Sequence, residues 1–431
     1  MAAPAALQLK QQEAANLDCI HCGLCLSVCP TYLQIASEVD SPRGRIYLIN
    51  AMEEGQIAPS SPIFARHMQL CLECRACETA CPSGVKFSFM MNGARAAIRA
   101  QTRPSFTERM ARRLVFRTFL PNRRPLHILF RLLRFYQKSG LQGLVRASGI
   151  LRLFPARLRN MEALLPAVPP YPAFGLPDSA PAEGRARAAF FEGCIMPELF
   201  GPVHEATLRV LKKNHVAVGL PRGQTCCGAL HVHDGEIGLA LALARKNIAA
   251  FERDGADYIV VNAAGCGAAL KEYGHMLKDD PAYAARAAAF SARVQDICEL
   301  LDAIGISRDM GRLDLKITYD DPCHLLHGQG IRDAPRRLLR RIPGLELVEL
   351  RDSDRCCGSA GIYNITQPEM SARILKDKID NLARTGAQAV ASGNPGCLLQ
   401  IEMGLRARGI PMRTVHPVEL LDEAYRRGDG G

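Results

Sequence analysis

Seventeen cysteines stand in this chain of 431 residues, and all but Cys298 fall into repeated patterns. One run reads Cys19-x2-Cys22-x2-Cys25-x3-Cys29-Pro30, and a second reads Cys71-x2-Cys74-x2-Cys77-x3-Cys81-Pro82. Further on, the vicinal pairs Cys226–Cys227 and Cys356–Cys357 are each followed by glycine. Cys194 and Cys266 flank the first pair, and Cys323 and Cys397 flank the second. Thiols are ligands for soft metals and iron, or they pair as disulfides. Disulfide scaffolds are typically short and exported. This chain is long, and its start (MAAPAALQLKQQEAANLD) lacks the basic and apolar regions of a secretory signal. The cysteines therefore point to metal or iron–sulfur ligation in a reducing compartment.

The two x2-x2-x3-Pro runs have the spacing that holds cubane [4Fe–4S] clusters in two-cluster ferredoxins. The first three cysteines of a run lie on one tight loop and face one pocket. The fourth opens a helical turn that faces away and serves the other cluster. The expected sets are Cys19, Cys22, Cys25 and Cys81 for one cluster, and Cys71, Cys74, Cys77 and Cys29 for the other. Structural zinc also takes four thiolates, but usually from two separated Cys-x2-Cys knuckles. With every ligand position filled by thiolate, such clusters suit an electron relay rather than substrate chemistry. His21, inside the first loop, is expected to tune the cluster rather than to bind iron.

The vicinal pairs belong to an internal duplication. Between Cys194 and Cys226 lie 31 residues, against 32 between Cys323 and Cys356, and 38 and 39 residues separate the pairs from Cys266 and Cys397. Matched intervals of this kind mark a repeat. The single cysteines follow short β-rich runs at 189–191, 258–261, 317–319 and 389–391, with helical stretches at 237–252 and 370–384 between them. Alternating strands and helices predict an α/β fold, with cysteines at the carboxyl ends of strands, where ligands gather. Gly228 and Gly358 allow a backbone turn that brings both sulfurs of a pair to one place. Each copy thus offers four thiols for a metal or redox centre. His231, His233, His324 and His327 lie close by and are expected to support the site rather than to ligate. Cys298, opposite Val418 in the second copy, reads as a small buried hydrophobe.

The cysteine-pair repeats resemble the CCG domains of heterodisulfide reductase and its relatives. The whole chain, over about residues 15–425, more closely resembles the iron–sulfur subunits of bacterial glycolate oxidase. The segments that carry this are DSPRGRIYLI (40–49), CLECRACETACPSGV (71–85), AAGCGA (263–268) and CCGSAG (356–361). The resemblance implies a separate flavin-containing subunit, carrying FAD, that oxidises glycolate to glyoxylate. This chain would take the electrons and pass them to a quinone or another acceptor. In the reductase relatives, a noncubane [4Fe–4S] cluster uses a fifth cysteine three residues after the last. Here Ala269 and Gln400 hold that position, leaving four thiols per copy. Alternative memberships with the same architecture are the iron–sulfur subunits of anaerobic glycerol-3-phosphate or lactate dehydrogenase. A reductase acting on disulfides is a further alternative, against which Ala269 and Gln400 weigh.

The expected organisation is a two-cluster domain over 1–100, a basic helical segment and Pro-rich linker over 101–186, and CCG domains over 187–310 and 311–431. The net charge is +11, and residues 101–160 alone hold 14 Arg and Lys against Glu108. The rest of the chain is therefore close to neutral. Basic amphipathic helices are expected over Phe106–Leu120 and Leu126–Gln137, as a docking surface for a membrane or a partner subunit. Nucleic acid is not expected, because aromatic residues that stack bases are not interleaved with the arginines. Runs such as G-x-G-x-x-G after a strand, a P-loop or G-x-S-x-G are absent, so the chain carries no visible flavin, nucleotide or acyl-transfer site of its own. The longest apolar runs are too short for a transmembrane helix. The expected location is cytoplasmic, peripheral on the inner face of the cytoplasmic membrane.

Overall fold

The computed structural model describes residues 19–154, 162, 165–170 and 186–430. The lead-in 1–18 and most of the Pro-rich stretch expected as an extended linker lie outside the described residues.

The amino-terminal segment is helical. Cys29 caps the helix Pro30–Ile35, and proline occupies its first turn, where a missing N–H costs nothing. The motif at 40–45 then builds the next helix, Pro42–Glu53. Ser41 accepts a hydrogen bond from the Gly44 amide at 3.1 Å, and Pro42 again opens the helix. Gly44 lies so close to the Glu38 carbonyl that a Cβ would collide with it. Arg45 is fully buried and donates to the His67 carbonyl at 2.9 Å and to Thr31 Oγ1 at 3.1 Å. A buried guanidinium is tolerated only with such partners. The helices Pro62–Gln69 and Phe87–Gln101 close the core around Phe64, Met68, Met90 and Met91.

The remainder is α/β, as expected, and twofold repeated. Strands β1 (Ala186–Phe191), β2 (Val216–Gly219), β3 (Tyr258–Val261) and β4 (Val294–Asp296) form one parallel sheet in the order β2-β1-β3-β4. Strands β5 (Leu315–Tyr319), β6 (Leu345–Glu349), β7 (Ala389–Ala391) and β8 (Arg413–Val415) repeat that order as β6-β5-β7-β8. Parallel strands covered on both faces are apolar throughout, and Phe190, Phe191, Ile259, Val260 and Val261 are buried. The helix Ile237–Glu252 has the bounds expected, and the second copy's counterpart runs Pro368–Arg384. The halves are joined by the Arg209 guanidinium, which donates to both Asp422 oxygens at 2.8 Å.

The basic segment folds into the helix Phe106–Arg112, a π-helical stretch Arg113–Phe119, and the helices Arg123–Lys138 and Leu141–Ala147. Phe116, Leu120 and Leu126 are buried, and the first two join the core of the first sheet. Among the described residues, no helix is long and apolar enough to cross a membrane.

Candidate metal centres

Each cysteine run is shaped by its backbone. In the second, Glu73 and Arg75 adopt left-handed conformations, with φ of 52° and 63°. These turn the loop so that Cys71, Cys74 and Cys77 face inward. In the first, His21 and Gly23 do the same at φ of 55° and 82°. Arg43 Nη1 ties this loop down by donating to the His21 carbonyl at 3.1 Å.

The fourth cysteines cross over. Cys19, Cys22, Cys25 and Cys81 line one hollow, and Cys77 lines it too. Cys29, Cys71, Cys74 and Cys77 line the other. Cys22 is exposed, whereas Cys29, Cys71, Cys74 and Cys77 are buried. Burial pushes the Cys74 and Cys77 thiols well up. Thiolates here need a strongly positive group among them, which iron provides. Among the described residues, no three His, Cys, Asp or Glu side chains are grouped as a single metal ion would require.

The four sheet-borne single cysteines lie where the topology places ligands. Chain order reverses between β1 and β3, and between β5 and β7, creating a switch point in each sheet. Cys194 and Cys266 follow β1 and β3, and Cys323 and Cys397 follow β5 and β7. Each vicinal pair comes in from the loop after the edge strand. The turns match: Gly228 and Gly358 have φ of 86° and 88°, and each amide donates to the first sulfur of its pair at 3.4 Å. In the first copy Cys194 Sγ lies 3.6 Å from Cys226 Sγ, and Cys227 Sγ lies 3.3 Å from Cys266 Sγ. In the second, Asn394 Nδ2 donates to Cys397 Sγ at 3.3 Å. Its Oδ1 accepts from the Gly265 amide of the first copy at 3.2 Å, so the two sites share a loop contact.

The fifth-ligand positions differ. Ala269 lines a hollow with Cys227, Glu272 and His324. Gln400 is buried and engaged: its Nε2 donates to Ser371 Oγ at 2.9 Å, and its Oε1 accepts from Asn364 at 3.1 Å. Cys298 is buried in the core, as expected.

The histidines serve as struts between domains. His324 Nε2 donates to the Glu73 carbonyl at 3.0 Å, and His233 meets the Glu73 carboxylate. His327 Nδ1 accepts from Thr79 Oγ1 at 2.9 Å, and its Nε2 donates to the Asp354 carbonyl at 3.1 Å. His231 Nε2 donates to the Phe116 carbonyl of the basic segment at 2.8 Å.

Several supporting residues escaped the sequence reading. Asn247 donates to the Cys226 carbonyl at 3.0 Å, and the Tyr273 hydroxyl donates to the Cys227 carbonyl at 2.8 Å. Lys378, buried, reaches Asp320 at 2.8 Å and donates to the Asp352 and Ser353 carbonyls. Asn247 and Lys378 are polar residues on the buried face of each copy's long helix. That break in an apolar stripe was the available signal.

The junction of the domains is intimate. Leu72, Cys74 and Ala76 share a buried cluster with Cys356, Tyr363, Met370 and Ile374, and Cys323 packs against it. The second pair thus abuts the second cysteine run.

Comparison with known families matches residues 15–85 to a 4Fe-4S dicluster domain. Residues 107–165 match the linker region of glycolate oxidase iron–sulfur subunits, and residues 188–271 and 317–402 match the cysteine-rich (CCG) domain. The chain is 42% identical over 430 residues to a probable glycolate oxidase iron–sulfur subunit of Bacillus subtilis (strain 168), covering 96% of this chain and 95% of that relative. It is 33% identical over 417 residues to a glycolate oxidase iron–sulfur subunit of Escherichia coli (strain K12), covering 95% and 94%. It is 30% identical over 240 residues to a lactate utilization protein A of an Exiguobacterium strain, covering 56% of this chain and 98% of that relative.

Proposed function

The chain belongs to the family of glycolate oxidase iron–sulfur subunits, electron-transfer components of an oxidoreductase, and from that premise we propose that it is the relay subunit of a glycolate-oxidising complex. Flavin-containing partner subunits oxidise glycolate to glyoxylate, and this chain carries the electrons to a quinone or another acceptor at the inner face of the cytoplasmic membrane. Cys19, Cys22, Cys25 and Cys81 hold one [4Fe–4S] cluster, and Cys29, Cys71, Cys74 and Cys77 hold a second. Cys194, Cys226, Cys227 and Cys266, and Cys323, Cys356, Cys357 and Cys397, hold further iron–sulfur or metal centres. When bound, such clusters accept and release single electrons.

The observation that carries this reading is the packing of the second run against Cys356 in one buried cluster. Apolar neighbours such as Leu72 and Met370 exclude water there. Cys22, in the hollow of the first run, is exposed, which suits entry of electrons from a partner. Each amino-terminal hollow is lined by at least four thiols, the number that a cubane cluster takes. Arg95 donates to the Met68 and Cys71 carbonyls at 3.1 and 2.6 Å and keeps the second loop in shape.

The test is anaerobic copurification with the flavin subunits, followed by addition of glycolate. Loss of visible iron–sulfur absorbance and appearance of EPR signals are expected. A reduced flavin beside fully oxidised iron would refute the relay. Lactate as donor substrate is a second reading, favoured by the similarity to a lactate utilization protein over more than half the chain. Lactate in the same assay distinguishes the two.

A further inference from the structure

The two cysteine-rich halves share a topology and a set of thiols, but not the charges buried beside them. Asn247 and Lys378 hold equivalent places, each the eleventh residue of its half's long helix. Both tie down the loop that leads to the vicinal pair. Asn247 accepts from the Thr225 amide at 2.8 Å and donates to the Cys226 carbonyl at 3.0 Å. Lys378 donates to the Asp352 and Ser353 carbonyls at 3.1 and 3.0 Å. A neutral amide is enough for this in the first half, so holding the loop does not call for an ammonium group. Burying a charge carries a desolvation cost that its partner at best offsets. The acids differ in the same way. Glu192 and Asp320 directly follow β1 and β5. The partner of Glu192 is Arg123, whose side chain is 40% exposed and screened by water. The partner of Asp320 is Lys378 at 2.8 Å, and both side chains are only 2% exposed. Each half thus buries a carboxylate, and the second half alone of the two sets a buried cation against it.

We propose that Lys378 is a positioning residue for electron transfer: its buried charge raises the reduction potential of the centre at Cys323, Cys356, Cys357 and Cys397 above that of the centre in the first half, and so draws electrons from the second run into the second half. The proposal deepens the relay reading above and rests on it. Lys378 lines a hollow together with Cys356. Burial works against its charge, but Asp320 outweighs burial and the Cys357 and Cys356 sulfurs act in the same sense, so its pKa is raised. The ammonium therefore stays charged. Asp320 is held on its other side, where Oδ2 accepts from Ser392 Oγ, just after β7, at 3.0 Å. The pair is fixed between the strand ends that lead to Cys323 and Cys397. A cation in a place of low dielectric favours the more negative state of its neighbour, and reduction adds one negative charge. Cys356 also packs with Cys74 in one buried cluster, so the centre beside Lys378 is next to the second run. One electron leaves the cluster at the second run, which is oxidised, and enters the centre beside Lys378, which is reduced. No bond forms or breaks, and no proton is required.

The test is a potentiometric titration of the full chain, loaded with iron anaerobically and followed by EPR. Signals are assigned by their loss in Cys357→Ser for the second half and in Cys226→Ser for the first. In the wild type the second-half signal should appear at the higher potential. Lys378→Met should lower the ratio of reduced to oxidised centre by about tenfold or more at a fixed potential, a downward shift of about 59 mV for one electron. Asp320→Asn should shift the same signal upward, and Lys378→Arg should hold it near the wild-type value. The asparagine is nearly isosteric and leaves no carboxylate unpaired, so this variant tests the proposal even where Lys378→Met does not fold. A strut that only holds the loop would alter iron content or the unfolding midpoint, but it would not move the potential in opposite directions. A wild-type second-half signal at the lower potential overturns the proposal. So does a missing upward shift in Asp320→Asn, a missing downward shift in folded Lys378→Met, or equal movement of the first-half signal. Those results leave the relay intact. Wild-type protein without any signal that Cys357→Ser removes would instead overturn the reading of a centre in that half, and the proposal with it.

Discussion

Tyr363, seven residues beyond Cys356, donates its hydroxyl to the carbonyl of Leu70, the residue before Cys71, at 2.9 Å. The bond crosses from the second cysteine-rich half to the second cysteine run, and both ends are buried. It fixes the distance between two thiol sets that sequence separates by almost 300 positions. Tyr363→Phe should leave the Leu70 carbonyl without this donor at about 1–3 kcal/mol. The expected outcome is a lower unfolding midpoint and faster amide exchange over residues 70–77, with iron content unchanged. Wild-type exchange across that loop would show that packing alone holds the junction.

The crossing of the fourth cysteines gives an asymmetric prediction. Cys29 lines the hollow of the second run and Cys81 that of the first. Cys29→Ser should therefore perturb the cluster proposed for Cys71, Cys74 and Cys77, although Cys29 belongs to the first run. Cys81→Ser should do the reverse. Paired variants tell the two apart: Cys29→Ser combined with Cys71→Ser should cost only one cluster, and Cys29→Ser combined with Cys19→Ser should cost two. Iron content and EPR spin counting measure this, and the reverse pattern, two clusters lost from the first pair and one from the second, would rule out the crossover.

The vicinal pairs make a separate case. Cys226→Ser or Cys357→Ser should lower iron content while the EPR signals of the amino-terminal clusters remain. The serine is nearly isosteric, so the matched Gly228 and Gly358 turns should survive it. Full iron content and full electron transfer in both variants would reduce the pairs to structural cysteines.

Much of this site was legible because ligand spacing is local. A loop of x2-x2 spacing can point three sulfurs one way whatever surrounds it. The repeat was equally plain, since matched intervals required matched sheets, and β2-β1-β3-β4 and β6-β5-β7-β8 are the same topology. What escaped was the set of groups that reach the sites from elsewhere. Asn247 and Tyr273 grip the carbonyls of Cys226 and Cys227, but nothing in their spacing says so. The histidines next to the cysteines drew attention as site groups, yet His233 and His324 meet Glu73 of another domain. Composition also could not sort the basic segment. Phe116, Leu120 and Leu126 pack inward while Leu132 and Phe135 face out, and Arg112 is engaged by Asp234 and Glu236. Those outcomes depend on what the remainder of the chain presents.

Buried His204 gives a pH test. Its Nε2 donates to the Glu192 carbonyl at 3.0 Å and its Nδ1 accepts from Asn262 at 3.0 Å. Burial lowers its pKa from the usual 6.5 to about 3. The folded state therefore holds the ring neutral, while the unfolded state takes up a proton below about 6.5. Stability from this group is complete above pH 6.5 and declines as pH falls towards 3. At pH 5 the loss is about 2 kcal/mol. His204→Asn removes the titration and costs packing at every pH. The deficit of the variant relative to wild type should thus shrink by roughly 2 kcal/mol between pH 7.5 and pH 5. A deficit that is constant over that range would mean that the ring is already accessible to protons.

The basic segment leads to the last prediction. On the helix Arg123–Lys138, Leu126 faces the protein, while Ile128, Leu132 and Phe135 face outward, with Leu132 63% and Phe135 65% exposed. Phe106, Met110, Leu114, Leu144 and Leu153 continue the outward apolar surface along the segment. Arg109, Arg113, Arg124 and Arg131 are exposed among them. Water alone does not favour this combination of surface hydrocarbon and one sign of charge. An anionic bilayer favours both: about 1 kcal/mol per Arg near the surface, together with the buried apolar area. Arg112 is different, since its ion pairs with Asp234 and Glu236 make it part of the domain junction. Charge reversal of Arg109, Arg113 and Arg131 together should lower affinity for anionic vesicles by ~3 kcal/mol or more, over a hundredfold, without loss of iron. Leu132→Asp with Phe135→Asp should do the same and also abolish the salt-resistant part of binding. Arg112→Glu should instead lower the unfolding midpoint. Cosedimentation with vesicles of graded anionic lipid, at low and high salt, is the measurement. If both surface sets sediment as wild type does, the segment does not dock on lipid. If they release only the flavin subunits, the surface belongs to the partner protein.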